Sequence, residues 1–328
     1  MNQRFFKLAS AAIIGWTALT AQAAGLPGPI VTTEWLAANL DKVQIVDVRS
    51  NVKSMTSAPE FDTDAKSGKK TLSEVGGHIA GSLLLNAKTM RVERQVGDLK
   101  VKYLIPEKAA WEKIAQADGI EAGKPIVLVP VGMEVADVDD ALRAYWQFKV
   151  YGEDNIAVLD GGMAAWLSEG RAFDQTAQAA KTGNWMALSD RSANYLAGSD
   201  DVAKAITDKS ASLVDARDIK SFLGLGKRDY VSAYGHLPQA QNFPPELMTK
   251  SASGALKFMS TNTYTALLQA QGVNPEKPVI SYCNSGHLAA GPWFITSEVL
   301  GKPARLYDGS LHQWTLEKHA LEGAVPLN

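Results

Sequence analysis

Val46-Asp47-Val48-Arg49 returns 168 residues later as Val214-Asp215-Ala216-Arg217. Three further correspondences keep the same order along the chain. Gly77-His78-Ile79 returns as Gly235-His236-Leu237, and Lys124-Pro125-Ile126-Val127 as Lys277-Pro278-Val279-Ile280. Leu159-Asp160-Gly161-Gly162, followed by Trp166, returns as Tyr307-Asp308-Gly309-Ser310, followed by Trp314. The spacing shrinks from 168 through 158 and 153 to 148 residues, which is the mark of two copies of one domain whose loops have shortened. A length of 328 residues is twice what one domain usually needs and fits two.

Each copy alternates short apolar runs with helical patterns. Val43 to Val48, Ile126 to Val129 and Ile156 to Leu159 in the first copy, with Leu213 to Ala216, Val279 to Tyr282 and Ala304 to Tyr307 in the second, read as buried strands. A helix is expected from Pro106, with Trp111 and Ile114 on one face and Gly119 beyond its end, and another over Thr263 to Ala270 before Gly272. Strands interleaved with helices imply an α/β fold, each copy a mostly parallel sheet with helices on both faces. Phe173 to Ala193, rich in Ala, Gln, Thr and Ser and without a clear period, is expected to link the copies. The expected division is residues 1–23 as a signal peptide, 24–172 as the N-terminal domain, 173–193 as linker and 194–328 as the C-terminal domain.

The leader rests on Arg4 and Lys7, an uncharged run of twelve residues from Leu8 to Leu19, and the small-x-small site Ala21-Gln22-Ala23. Cleavage near Ala23 implies a periplasmic or secreted protein. No later stretch reaches the roughly eighteen apolar residues of a membrane span, so membrane insertion is not expected. With 33 basic against 35 acidic residues and no basic run, nucleic acid is not an expected partner. Export gives weight to the cysteine count. Cys283 is the only cysteine, so it forms no internal disulfide and no Cys-x-x-Cys redox pair.

Cys283 follows the strand run Pro278-Val279-Ile280-Ser281-Tyr282 and opens a turn, Cys283-Asn284-Ser285-Gly286-His287-Leu288, before a helix expected over Ala289 to Leu300 and ended by Gly301. In parallel sheets ligands gather beyond the carboxyl ends of strands, and loop N–H groups entering a helix favour a thiolate there. Cys283 is therefore the candidate nucleophile.

Together these motifs resemble the rhodanese family of sulfurtransferases, specifically its exported tandem-domain members, over nearly all of the expected mature chain. The resemblance implies two tandem rhodanese-like domains, of which only the C-terminal one is catalytic. The N-terminal position aligned with Cys283 is Pro130, so the first domain is expected to be silent and to wall the cleft. It further implies double displacement: Cys283 takes sulfane sulfur from an anionic donor as a persulfide and passes it to cyanide or a thiol. Asn284, Ser285, Gly286, His287 and Leu288 are expected to bind the donor with Arg217. His78 is a candidate proton relay, against the plainer reading that both Gly-His turns are structural. Asp47 and Asp215 are expected to fix turns, and Trp35, Trp111, Trp166 and Trp314 to be core. No cofactor is expected, and no metal, since no His, Cys or carboxylate cluster has ligand spacing.

The family's donor preference is read from the residues after the cysteine and from two arginines after the C-terminal Val-Asp strand. Ser285 matches mercaptopyruvate enzymes, but Ser221 stands where the second arginine is expected, which weakens carboxylate capture. Lys220, Lys227 or Arg228 are the substitutes at hand. The expected reaction is thus thiosulfate sulfurtransfer, with 3-mercaptopyruvate sulfurtransfer, or a periplasmic sulfur carrier serving a protein acceptor, as alternatives.

Overall fold

The computed structural model describes residues 25–177, 181–274, 276–323 and 325. The expected signal peptide, 1–23, lies outside them. The first sheet holds β1 (Ile30–Val31), β2 (Gln44–Arg49), β3 (Leu83–Asn86), β4 (Ile126–Pro130) and β5 (Ile156–Leu159) in the order β1-β5-β4-β2-β3, every pair parallel. The second holds β6 (Leu196–Ala197), β7 (Ser212–Asp215), β8 (Gln241–Asn242), β9 (Val279–Tyr282) and β10 (Ala304–Tyr307) in the order β6-β10-β9-β7-β8, again all parallel. The two topologies are the same. β2, β4 and β5 are buried at every residue, as a sheet covered on both faces requires.

The helices that matter here are α1 (Lys108–Ala117), α2 (Val135–Val150), α3 (Gly162–Ser168), α4 (Ser199–Asp208), α5 (Thr261–Ala270), α6 (Ala290–Phe294) and α7 (Ser310–Leu316). Pro106 stands two residues before α1, and Gly119 ends its turn at φ +85°. Ser260 caps α5, accepting from the Thr263 N–H. The helix expected over Ala289 to Leu300 is only five residues of α-helix, continued as a π turn from Ile295 to Val299 in which Leu300 N–H donates to Ile295.

The two halves share one hydrophobic core. Every residue of α2 from Val138 to Val150 is buried, because one side of the helix covers its own sheet and the other packs on α6. Tyr145 meets Phe294 edge to face at 5.0 Å, and Trp146, Phe148 and Trp293 are fully buried around them. Each such side chain contributes about 1.5–3 kcal/mol by burial. Of the charged residues that α2 carries into this interface, Arg143 pairs with Asp308, Asp140 with His287 and Lys149 with Glu298, whereas the Asp139 carboxylate is buried without a hydrogen-bond partner and burial raises its pKa well above the ordinary value.

A hairpin from each half reaches across to the other. Val92–Val96 with Leu99–Leu104 extends from the first half, and Lys250–Ala252 with Ala255–Lys257 from the second. The Ile105 N–H at the end of the first donates to Asp308 at 2.7 Å, and the Phe258 N–H at the end of the second donates to Asp160 at 2.8 Å. Each hairpin thus caps the Asp-Gly turn of the opposite half. Between the halves, Trp185 is buried against Phe148 and donates to Glu153, and the Gly183 N–H donates to Gln116, so this part of the connecting segment lies along the N-terminal half. No helix among the described residues is long and apolar enough to cross a membrane.

Candidate active site

Register fixes which residues of the two halves correspond. Asp215 pairs with Tyr282 and Asp47 with Val129, so Cys283 and Pro130 each stand one residue past the same point of the sheet. Cys283 is 2 % exposed at the carboxyl end of β9. Its N–H and that of Gly286 both donate to Ser310 Oγ at 3.0 Å, and that hydroxyl donates to the Tyr307 carbonyl at 2.8 Å. Ser310 adopts φ +48°, a left-handed conformation that costs a non-glycine residue about 1–2 kcal/mol. The strain places one hydroxyl where it holds both ends of the Cys283 to Gly286 turn.

With those two donors tied down, the N–H groups of Asn284, Ser285, His287 and Leu288 have no acceptor among the described residues. They form a set of main-chain donors around the thiol, suited to negative charge. Because α6 is so short, these loop donors carry the effect that the sequence credited in part to a longer helix.

The remaining expected loop residues are built in as follows. Ser285 is buried, with its Oγ 3.3 Å from the Tyr230 hydroxyl and 3.5 Å from Arg91 Nη1. Asn284 is buried with its side-chain oxygen unpaired. Gly286 has φ +72°, and a Cβ there would stand 2.5 Å from the Asp308 carbonyl oxygen, so only glycine fits. Its own carbonyl accepts from Arg143 at 2.8 Å. Leu288 is half-buried and packs against the shared core.

His287 Nε2 lies 2.9 Å from Asp140 of α2, whose other oxygen accepts from Ser50. Burial holds the His287 pKa below its ordinary 6.5, and repulsion by Arg91 and Arg143 adds to this against the pull of Asp140. The imidazole is therefore neutral at neutral pH and adds no cation to the loop.

Arg217 and His78, expected as a donor-binding residue and a candidate proton relay, are both held in buried hydrogen-bonded arrangements. Arg217 is 1 % exposed, its Nε and Nη2 committed to the Asp215 carboxylate and Nη2 also to the Gly235 carbonyl. Arg49 makes the same contacts with Asp47 and Gly77 in the half that lacks the thiol. Such a buried pair braces the strand end and leaves no free fork for a substrate. Burial opposes the Arg217 charge, but Asp215, then Tyr282 and Cys283, outweigh it and raise its pKa, so its positive field still reaches the thiol. His78, the candidate proton relay, is fully buried, with its two ring nitrogens 2.9 and 3.1 Å from the carbonyls of Ile79 and Thr176. His236 has only Nδ1 on a carbonyl, that of Phe222, but both Gly-His turns make a single bridge to a distant segment, His78 to Asp174 and His236 to Glu322. Ser221 accepts no arginine's role, since its N–H and hydroxyl both bond Asp218 in a local cap.

The structure adds residues that no motif marked. Arg143, fully buried on α2, grips the Gly286 carbonyl and pairs with Asp308 at 2.6 Å. Tyr103 packs on Tyr230 at 5.0 Å, closing one side of the loop, and burial above all raises the Tyr230 pKa, so its hydroxyl keeps its proton. Arg91 arrives from the N-terminal half. The Asp308 and Ser310 positions were visible as part of a repeat, whereas Arg91, Tyr103 and Arg143 are visible only once the halves are docked.

These features match known proteins. The rhodanese-like domain model fits residues 32–169 and 199–317, and the chain belongs to this family. A Saccharopolyspora erythraea protein provisionally named a thiosulfate sulfurtransferase is 27% identical over 87% of this chain and 92% of its own length. The sulfur carrier protein TtuD of Thermus thermophilus is 26% identical over 88% of this chain and 94% of its own. The crystal structure of Escherichia coli SseA, one of the 3-mercaptopyruvate sulfotransferases, superposes with a TM-score of 0.67 at 22% identity, covering 86% of this chain and 98% of that one.

Proposed function

We propose that the chain transfers sulfane sulfur from thiosulfate to a thiophilic acceptor, cyanide or a thiol, through a persulfide on Cys283. The observation that carries this is one buried cysteine, the only one in the sequence, set at the start of a turn in which the N–H groups of Asn284, Ser285, His287 and Leu288 are left without an acceptor among the described residues. The thiolate attacks the outer sulfur of thiosulfate, the S–S electron pair leaves with sulfite, and the persulfide then yields its terminal sulfur to the acceptor. Loop N–H groups favour negative charge on either sulfur.

Thiosulfate is favoured over mercaptopyruvate because a planar carboxylate wants a free, planar guanidinium pair, and here Arg217 is committed to Asp215 while Ser221 caps a turn. A compact dianion needs no fork. The kinship with a sulfur carrier keeps one second reading open, in which the persulfide is delivered to a protein and does not turn over with small molecules. The leader segment supports export, with cleavage near Ala23, to the periplasm or beyond.

Incubation with thiosulfate should add about 32 Da, one sulfur atom, to the intact mass through the covalent intermediate. Repeated thiocyanate formation with cyanide is expected of the enzyme; a single sulfur per chain would select the carrier. Preference for mercaptopyruvate in kcat/KM would overturn the donor assignment.

A further inference from the structure

We propose that Arg91, reaching in from the N-terminal half, is the residue that binds the oxyanion end of the sulfur donor. The proposal rests on Cys283 being the sulfur acceptor and assigns the site its missing cation.

Arg91 directly precedes the Val92–Val96 strand of the hairpin that leans on the C-terminal half. Its guanidinium lies 5.3 Å from the centre of the Tyr103 ring, and Nη1 is 3.5 Å from Ser285 Oγ, the outer limit of a hydrogen bond. Ser285 is two residues from the thiol and also faces the Tyr230 hydroxyl. Arg91 therefore stands beside the cysteine loop at Ser285.

Its charge is uncompensated. Three arginines near the two strand-end loops each hold a carboxylate: Arg49 has Asp47, Arg143 has Asp308, and Arg217 has Asp215. Among the described residues, no carboxylate comes within 4.0 Å of Arg91. A half-buried guanidinium stays protonated, and removing it from water without a counter-ion is costly. The charged and titratable groups around it are Arg143, Cys283, Asp308, Asp140 and His287. Asp308 is taken by Arg143, and Asp140 by His287 and Ser50. Besides the Cys283 thiolate itself, the anion that completes Arg91 therefore comes from outside the protein.

Thiosulfate fits that place. With its outer sulfur at Cys283, its sulfonate oxygens extend toward the loop mouth, and the sulfite that leaves carries the same oxygens. A guanidinium there offsets the repulsion between a thiolate and a dianion, both on approach and as the S–S bond breaks. The other half shows what its loss looks like. Met90-Arg91-Val92 corresponds to Met248-Thr249-Lys250 at the start of the second hairpin, so the half-repeat opposite the loop without a thiol carries threonine in place of Arg91.

The test uses alkylation of Cys283 by two reagents of like size, anionic iodoacetate and neutral iodoacetamide, beside steady-state kinetics with thiosulfate. Arg91→Met should lower the iodoacetate-to-iodoacetamide rate ratio by about 10-fold, and should raise the KM for thiosulfate by about 10-fold, the scale of one charge-assisted hydrogen bond. A ratio and KM within two-fold of the parent protein, in a variant of unchanged circular dichroism, would overturn the proposal. Should Arg91→Met not fold, Arg91→Gln removes the charge and keeps a polar side chain: a rise in KM of about 10-fold supports donor binding, and an unchanged KM overturns it. The alkylation ratio judges Arg91 even if thiosulfate leaves no added mass, an outcome that would instead overturn the role of Cys283.

Discussion

The two halves carry the same five-stranded parallel sheet, the same Asp-Arg brace at one strand end, the same Gly-His bridge and the same capped Asp-Gly turn, yet only one carries a thiol. Their differences cluster at one place. Pro130 stands for Cys283, Gly162 for Ser310, and Thr249 for Arg91, and the loop after β4 is shorter: Glu134 caps α2 four residues past Pro130, whereas Ala289 caps α6 six residues past Cys283. The comparison teaches that residues present twice hold the fold, while residues that break the repeat make the site. It also bears on Arg217 and His78, the two expected site residues that belong to the repeat. Both repeat, as Arg49 and His236, and both turn out to be braces.

The largest effect should come from moving the thiol. Cys283→Ala is expected to lower thiosulfate turnover by roughly 10³-fold or more, as loss of a nucleophile does. Adding Pro130→Cys to that variant should not restore it, because the N–H groups and the hydroxyl of Ser310 stay with the C-terminal loop. Turnover by the double variant, measured as thiocyanate release, would mean that the halves are chemically equivalent.

The second contrast concerns the clamp between halves. Asp308 takes the Ile105 N–H and the buried Arg143, whereas Asp160 takes the Phe258 N–H and has no buried arginine. Arg143→Ala leaves a buried carboxylate without its partner and should cost about 3–5 kcal/mol, against about 1 kcal/mol for Asp160→Ala. Equal losses in urea denaturation would show that the clamp is worth no more than a hydrogen bond.

A third test exchanges the residues after the two Asp-Gly turns. Ser310→Gly relieves a positive φ but releases the Cys283 and Gly286 N–H groups, so stability should change little while kcat falls by about 10-fold, the cost of a misplaced nucleophile. Gly162→Ser should instead destabilise, since a Cβ at Gly162 would stand 2.2 Å from the Pro130 carbonyl oxygen. Matching behaviour of the two variants would contradict the assignment of Ser310 to the loop.

What the sequence disclosed follows from the same division. The sheet strands beside Asp47, Asp215, Asp160 and Asp308 were legible because burial on both faces imposes apolar runs, and the glycine turns because no other residue fits. Cys283 was legible by its singularity. Arg91, Tyr103 and Arg143 were not, since each belongs by sequence to the half without a thiol and acquires meaning only through a contact some 125 or more positions away. Asp140 and Arg143 of α2 likewise meet the other half only in the folded chain.

The smallest expected effect belongs to His287, and it decides whether the loop has a titrating cation. A pKa held below the ordinary 6.5 leaves the buried imidazole neutral at pH 8 and less readily protonated than a free one at pH 6, because burial first, then Arg91 and Arg143, oppose its proton against the pull of Asp140. His287→Ala should therefore reduce kcat/KM for thiosulfate by a similar factor, about 3-fold, at both pH values, through loss of the Asp140 contact that orders the loop. Stability should follow the same logic. Between the lowered folded pKa and the ordinary 6.5, the unfolded chain binds a proton that the folded one does not, so the contribution of His287 is full above about pH 6.5 and declines as pH falls. His287→Ala should flatten that part of the stability curve. A loss of activity clearly greater at pH 6 than at pH 8 would mean that the imidazole is protonated beside Arg91 and shares the donor's charge with it.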